Sequence, residues 1–425
     1  MSIRNRKVEE TTLANGLVVV TEPMEHVRSV SVGIWIRSGS RREAAELSGI
    51  SHFIEHMVFK GTARRKAEDI AREVDRVGGM VDAFTAKEMV CFNTRVLDEH
   101  LETVFDVLAD MMLHPQFPDE EISREKSVVL EEIRMVEDSP EDLVHELFSR
   151  NLWGHHPLGR PILGTAESVV GFDRDTLNNW FRRWYVPNNM VITAAGNVSH
   201  QRLLDLVVPR FGDCVPAKSS DSDTPPLPRA ELASRSKVDL EQVHVCLGVP
   251  AYSMTDSRRY AVSVLNNLLG SGMSSRLFQN IREKQGLAYA VFSETNNYRD
   301  AGMLSIYAGT SLETVEQLIR SVMSELRDLK EKPVTEEELR RSKANLKGAT
   351  LLSLESTGSR MSDLARQYLY FGRYLSPEDR IAAVEAITQE EIRQVANDLF
   401  QPSRIAASLV GSLHDFALTS AHLSC

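Results

Sequence analysis

The sequence predicts an α+β protein of two homologous domains, each a mostly antiparallel sheet with helices packed on one face. Three observations carry this prediction. Within each half, strand-like stretches come first and long helical stretches later, the segregated pattern of an α+β layer. Leu101-Glu102-Thr103-Val104 and Leu312-Glu313-Thr314-Val315 each open a helical stretch after a hairpin signature, an internal duplication offset by 211 residues (312 − 101). Between the copies runs Pro216 to Pro228, rich in Ser, Asp and Pro, which cannot pack a core and favours an extended connector. The expected organisation is therefore an N-terminal domain over 1–213, a linker over 214–232 and a C-terminal domain over 233–425.

Taken in order, Gly16 to Glu22 and Ser29 to Ile36 are β-rich or alternate as strands do. A short amphipathic helix follows between Ser48 and Phe59, then the hairpin segment GGMVDAFTAKEMVCFNTRV, and then helices over Glu99 to Leu113 and Asp119 to about Val136. The second half repeats the order with a strand at Val243 to Val249, a helix at Tyr260 to Gly270, a hairpin, and a helix at Leu312 to Leu329.

Composition excludes several classes. Against 60 Asp and Glu stand 49 Lys and Arg, a formal charge of −11, which argues against general attraction to nucleic acid or to an anionic membrane surface. No apolar run approaches the roughly 18 residues of a membrane helix. The opening MSIRNRKVEE has no apolar stretch of signal-peptide length. Cys91, Cys214, Cys246 and Cys425 are scattered, without metal-binding spacing, so the expectation is a chain of the reducing cytoplasm.

The chemistry is concentrated in two helices. In the first, Ile50, Phe53, Ile54, Met57 and Val58 form one apolar face, so His52 and His56 project together from the other side, one turn apart, with Glu55 beside them. This is the HxxEH order of inverted zincins, and Lys60-Gly61 supplies a cationic last turn and a stop. A surface helix carrying two exposed histidines would give the same spacing. In the second helix, Ile122, Glu125, Val129, Glu132 and Val136 share one stripe, which places two carboxylates among apolar residues, while Glu131 falls on the polar face. A buried carboxylate must be neutralised, paired or bound to metal, and an ion pair with a distant Arg or Lys would satisfy Glu132 as well. Taken together, a metal shared by His52, His56 and Glu132 is the simpler account. Imidazole nitrogen and carboxylate oxygen suit Zn²⁺, and three protein ligands leave a fourth position for water. Glu55 is then placed as general base for attack on a peptide carbonyl, and Glu125 as the acceptor that orients a ligand imidazole.

At these residues the sequence resembles the pitrilysin/insulinase family of zinc peptidases, in particular its short-chain branch, which includes mitochondrial processing peptidase. The family's ligand Glu follows the second His by 76 residues, as Glu132 follows His56 (132 − 56), and a further family Glu seven residues earlier maps to Glu125. The loop His156 to Thr165 and a strand over Tyr185 to Met190 are also similar to family signatures. The resemblance implies a zinc-dependent endopeptidase acting on peptides or unfolded segments. It also implies that Arg282 and Tyr289, spaced by the family's seven residues, hold substrate and the developing oxyanion. A substrate-pairing strand at Asp82-Ala83-Phe84-Thr85 is implied too, with Ala83 in contact with the peptide and Asp82 departing from the family's usual Asn. It further implies a homodimer with Arg282 and Tyr289 facing the partner's zinc. The alternative within the family is a non-catalytic peptide-binding or assembly subunit.

Overall fold

The structure is a computed structural model that describes residues 7–217 and 223–425; most of the opening hexapeptide-plus segment MSIRNRKVEE and part of the expected linker lie outside the described residues. Six strands occupy the first half: β1 (Glu9–Thr12), β2 (Val18–Pro23), β3 (Ser29–Ile36), β4 (Met80–Thr85), β5 (Val90–Leu97) and β6 (Met190–Gly196). Five occupy the second: β7 (Leu232–Ser236), β8 (Val243–Ala251), β9 (Val291–Asn297), β10 (Gly302–Thr310) and β11 (Ala406–Gly411). The helices are α1 (Ile50–Val58), α2 (Ala67–Asp75), α3 (Leu101–Leu113), α4 (Asp119–Asp138), α5 (Pro140–Trp153), α6 (Ala166–Gly171), α7 (Arg174–Trp184) and α8 (His200–Phe211), then α9 (Arg259–Gly270), α10 (Val315–Glu331), α11 (Glu336–Ser353), α12 (Thr357–Phe371), α13 (Pro377–Ala386) and α14 (Gln389–Leu399).

The duplication is visible in the topology. The first sheet has the order β1-β2-β6-β3-β5-β4 and the second β7-β11-β8-β10-β9, so β2-β6-β3-β5-β4 and β7-β11-β8-β10-β9 correspond strand for strand. In both sheets one pair is parallel, β2 with β6 and β7 with β11, and the remaining pairs of this common set are antiparallel.

In the first sheet Val19, Val32, Ile34 and Phe92 pack with Phe53 and Met57 of α1 and with Val104, Phe105 and Leu108 of α3 in one buried cluster. The second sheet repeats the arrangement with Val245, Leu247, Leu304 and Ile306 against Leu265 of α9 and Leu318 and Val322 of α10. These are the helix layers the periodicity predicts. Each sheet also carries a helix on its other face, from the other half of the chain. Met361, Leu364, Ala365 and Tyr368 of α12 pack on Val20, Trp35, Cys91 and Val191. Val144, Phe148 and Leu152 of α5 pack on Cys246, Met303, Tyr307 and Val410.

The compact units therefore depart from the contiguous halves 1–213 and 233–425. Among the described residues, one comprises 7–133, 161–217 and 352–375, and the other 134–160, 223–351 and 376–425. The physical reason is that β6 and β3, and likewise β8 and β11, are apolar on both faces, and a sheet buried on both sides needs a second cover. Capping marks where the exchanged helices begin and end: Ser139 accepts from the Asp142 amide at the start of α5, Ser356 accepts from the Ser359 amide at the start of α12, and Gly372 ends α12 at φ 64°. The expected strand over Tyr185 to Met190 is instead the end of α7 and a 3₁₀ turn, Pro187–Asn189, with β6 beginning at Met190.

Gly49 precedes α1 at φ 92°, and a Cβ there would lie 2.5 Å from the Leu163 carbonyl oxygen and 2.8 Å from the Gly164 Cα. A left-handed non-glycine residue costs about 1–2 kcal/mol and forced overpacking about 1–3 kcal/mol. Gly49→Ala is thus expected to lower unfolding free energy in urea by about 2 kcal/mol or more; a loss below about 0.5 kcal/mol would contradict this packing.

Candidate metal centre

All five apolar residues of the α1 face, Ile50, Phe53, Ile54, Met57 and Val58, are fully buried, which fixes the rotation of the helix on the sheet. His52 and His56 then emerge together, ring centroids 4.6 Å apart, with side chains 12% and 18% exposed. The start of α1 is anchored by Glu43, whose carboxylate accepts from the Gly49 amide at 2.7 Å and the Ser51 amide at 2.9 Å. A negative group there satisfies free amides and suits the positive end of the helix dipole. Burial pushes the Glu43 carboxyl up to about 7, against the lowering effect of those amide bonds.

α4 brings the third group. Glu132 Oε2 lies 3.7 Å from Nε2 of both His52 and His56, and one ligand atom from each residue falls within 4.8 Å of the others. Tetrahedral zinc with bonds of about 2.0–2.2 Å would hold such atoms about 3.4 Å apart, so a small contraction seats the ion. Glu132 Oε2 is buried and has no hydrogen-bond partner, and the same is true of His52 Nδ1. The oxygen faces two nitrogens across a gap of ion size, and its lone pairs are otherwise unused. Burial, reinforced by His56, lowers the His52 pKa to about 4, so its imidazole is neutral and able to donate a lone pair. Among the described residues, these three form the group able to hold a metal ion.

Glu125 is almost wholly buried, and its Oε2 accepts from His56 Nδ1 at 3.0 Å. A carboxylate only accepts, so the ring proton is on Nδ1 and Nε2 presents its lone pair toward Glu132. Lys60 Nζ lies 2.6 Å from the other Glu125 oxygen. Glu55 lines an open cleft of about 290 Å³ with His56, Phe59, Lys60, Val81, Asp82, Ala83 and Glu125. Burial raises its carboxyl pKa, partly offset by the Thr85 hydroxyl, which donates to Glu55 Oε2 at 2.5 Å. Ala83 and Thr85 are on β4, the edge strand of its sheet, and Val81, Asp82 and Ala83 of that strand line the cleft.

Ile122, Glu125 and Val129 are buried as the stripe requires, but the Glu132 side chain is 35% exposed, because the stripe opens to solvent there and only Oε2 is enclosed. Glu131 is exposed. In the other unit, Arg282 lies in a π-helical turn, Phe278–Lys284, with its guanidinium 4.7 Å from the Phe278 ring and 4.6 Å from the Tyr289 ring. Tyr289 is 78% exposed. Sequence alone does not point to Glu43, places Thr85 only as a member of the substrate-pairing strand, and gives Lys60 only as the cationic end of α1. For Thr85 a signal existed, since it shares the β4 face of Val81 and Ala83 at period 2.

Fold and site together define a duplicated α+β chain in which one half carries a three-residue metal-type constellation beside a cleft-lining carboxylate. The chain belongs to the insulinase family, peptidase family M16. Residues 18–166 match the family profile described as Insulinase (Peptidase family M16), and residues 171–346 match Peptidase M16 inactive domain. An uncharacterized zinc protease of Bacillus subtilis, YmxG, is 43% identical over 92% of this chain and 96% of its own length. An uncharacterized zinc protease of Streptomyces coelicolor, SCO5738, is 40% identical over 98% of this chain and 92% of its own. The crystal structure of a protease from Helicobacter pylori superposes with a TM-score of 0.88 at 24% identity, covering 96% of this chain and 100% of that one, which shows the shared fold. No helix among the described residues is long and apolar enough to cross a membrane.

With Glu132 read as a ligand, Glu132→Gln is expected to reduce bound zinc from roughly one per chain to less than about a tenth, measured by elemental analysis after desalting. Glu131→Gln, on the exposed face, is expected to retain it. Equal retention in the two variants would remove Glu132 from the centre.

Proposed function

We propose that the chain is a zinc-dependent endopeptidase that hydrolyses peptides or unfolded polypeptide segments. The observation that carries this is the unpartnered Glu132 Oε2, 3.7 Å from two imidazole nitrogens, with Glu55 on the adjoining cleft. His52, His56 and Glu132 would hold the ion through Nε2, Nε2 and a carboxylate oxygen. When bound, zinc polarises a carbonyl and lowers the pKa of water toward neutrality.

The chain's own groups do the rest. Glu55 accepts a proton from the attacking water and delivers it to the leaving amine nitrogen, and the Thr85 hydroxyl fixes which carboxylate oxygen faces the cleft. The open edge of β4 offers amides and carbonyls to an extended peptide, pairing backbone to backbone alongside Ala83. A folded substrate cannot present that edge, which is why unfolded segments fit. Arg282 and Tyr289 supply donors suited to a carbonyl oxygen gaining charge, and the proposal includes a homodimer in which they serve the partner's site.

Glu55→Gln should keep its zinc and lose about 10²–10⁴-fold in kcat on an unstructured peptide pool. Loss of zinc along with activity would show that Glu55 is not the base. Mixing Glu55→Gln chains with Tyr289→Phe chains distinguishes the two arrangements of the donor pair. Recovery of activity in the mixed population is expected for donation between subunits, and no recovery would place Tyr289 and Glu55 of one chain in the same site.

A further inference from the structure

We propose that Lys60 is a positioning residue that sets the metal affinity of the centre by neutralising Glu125, the carboxylate that holds the His56 ring. The inference rests on the zinc reading above. Lys60 follows the last turn of α1, its amide still bonded to the Met57 carbonyl at 3.1 Å, so the chain keeps winding and Lys60 lies one turn beyond His56. Its ammonium lies 2.6 Å from Glu125 Oε1, while Glu125 Oε2 takes the His56 Nδ1–H at 3.0 Å. Each oxygen has its own partner, and only 6% of the Glu125 side chain is exposed.

A carboxylate enclosed to that degree is costly without a counter-charge. Lys60, itself 27% exposed, supplies one from the cleft wall without competing for His56. Removing it leaves Glu125 to recover hydration by turning outward. That movement loosens the acceptor on Nδ1, and with it the direction in which His56 Nε2 presents its lone pair. Lys60 thus acts on the centre through Glu125.

The test is zinc affinity of the full-length chain, by competition with a chromophoric chelator, with circular dichroism reporting the fold. Outer partners of ligand histidines are worth about 10–100-fold in affinity, so Lys60→Met is expected to raise the zinc Kd by that factor. Lys60→Gln, which keeps a polar stem, is expected to do the same, and Lys60→Arg to stay within about threefold of wild type. In a Glu125→Gln background, Lys60→Met is expected to add less than about twofold, because its partner is already gone. Kd values of Lys60→Met and Lys60→Gln within about twofold of wild type, or effects of Lys60→Met and Glu125→Gln that multiply independently, would overturn the proposal. A wild-type chain that binds no zinc would instead overturn the zinc reading on which it rests.

Discussion

A carboxylate oxygen enclosed by protein with nothing donating to it is unstable, and Glu132 Oε2 is such an atom. Its neighbours are two imidazole nitrogens at 3.7 Å, too far for direct hydrogen bonds and close to the separation of ligands around one ion. The structure around it depends on that geometry being held. The five-residue apolar face of α1 sets the helix rotation, Glu43 binds the amides at its start, and Gly49 lets the chain approach the Leu163–Gly164 backbone. From α4, buried Ile122 and Val129 bring Glu125 to His56 from one side and Glu132 to both imidazoles.

Among the described residues the metal-type group lies in one half only, and the duplicated architecture permits this. Both sheets have the same strand order over five strands, and both place a helix after the second strand, in sequence, of the equivalent set, α1 after β3 in one and α9 after β8 in the other. α9 buries Val262, Leu265, Leu268 and Leu269 much as α1 buries its own apolar face, but carries neither His nor Glu. The fold thus requires an apolar stripe at this place in each copy and leaves the opposite side of the helix free to vary. The reciprocal placement of α5 and α12 adds a second constraint. The central strands of each sheet are buried on both faces, and each sheet is completed by a helix from the other half of the sequence, so neither half alone contains a full set of covering helices.

Much of this was legible in the sequence, for local reasons. β3 is observed at Ser29–Ile36 as the pattern requires, and α4 is observed at Asp119–Asp138, starting at the expected Asp119. The pairing of His52 with His56 follows from helical period alone. Glu125 was found because a carboxylate within an apolar stripe demands a partner. The rest depends on tertiary contacts that periodicity does not encode. Nothing local in Thr357–Phe371 says which sheet its apolar face covers. Tyr185 to Met190 reads as a strand but is split by Pro187, which turns the chain before β6. Lys60 and Thr85 acquire roles only when α4 and β4 are brought beside α1.

The most direct measurement of the central claim is the zinc K-edge X-ray absorption spectrum of the purified chain loaded with one equivalent of zinc. The arrangement of His52, His56 and Glu132 predicts four or five nitrogen and oxygen neighbours at about 2.0–2.2 Å, with the outer-shell scattering of two imidazoles. A sulfur shell near 2.3 Å, or a spectrum with no imidazole scattering, would contradict it.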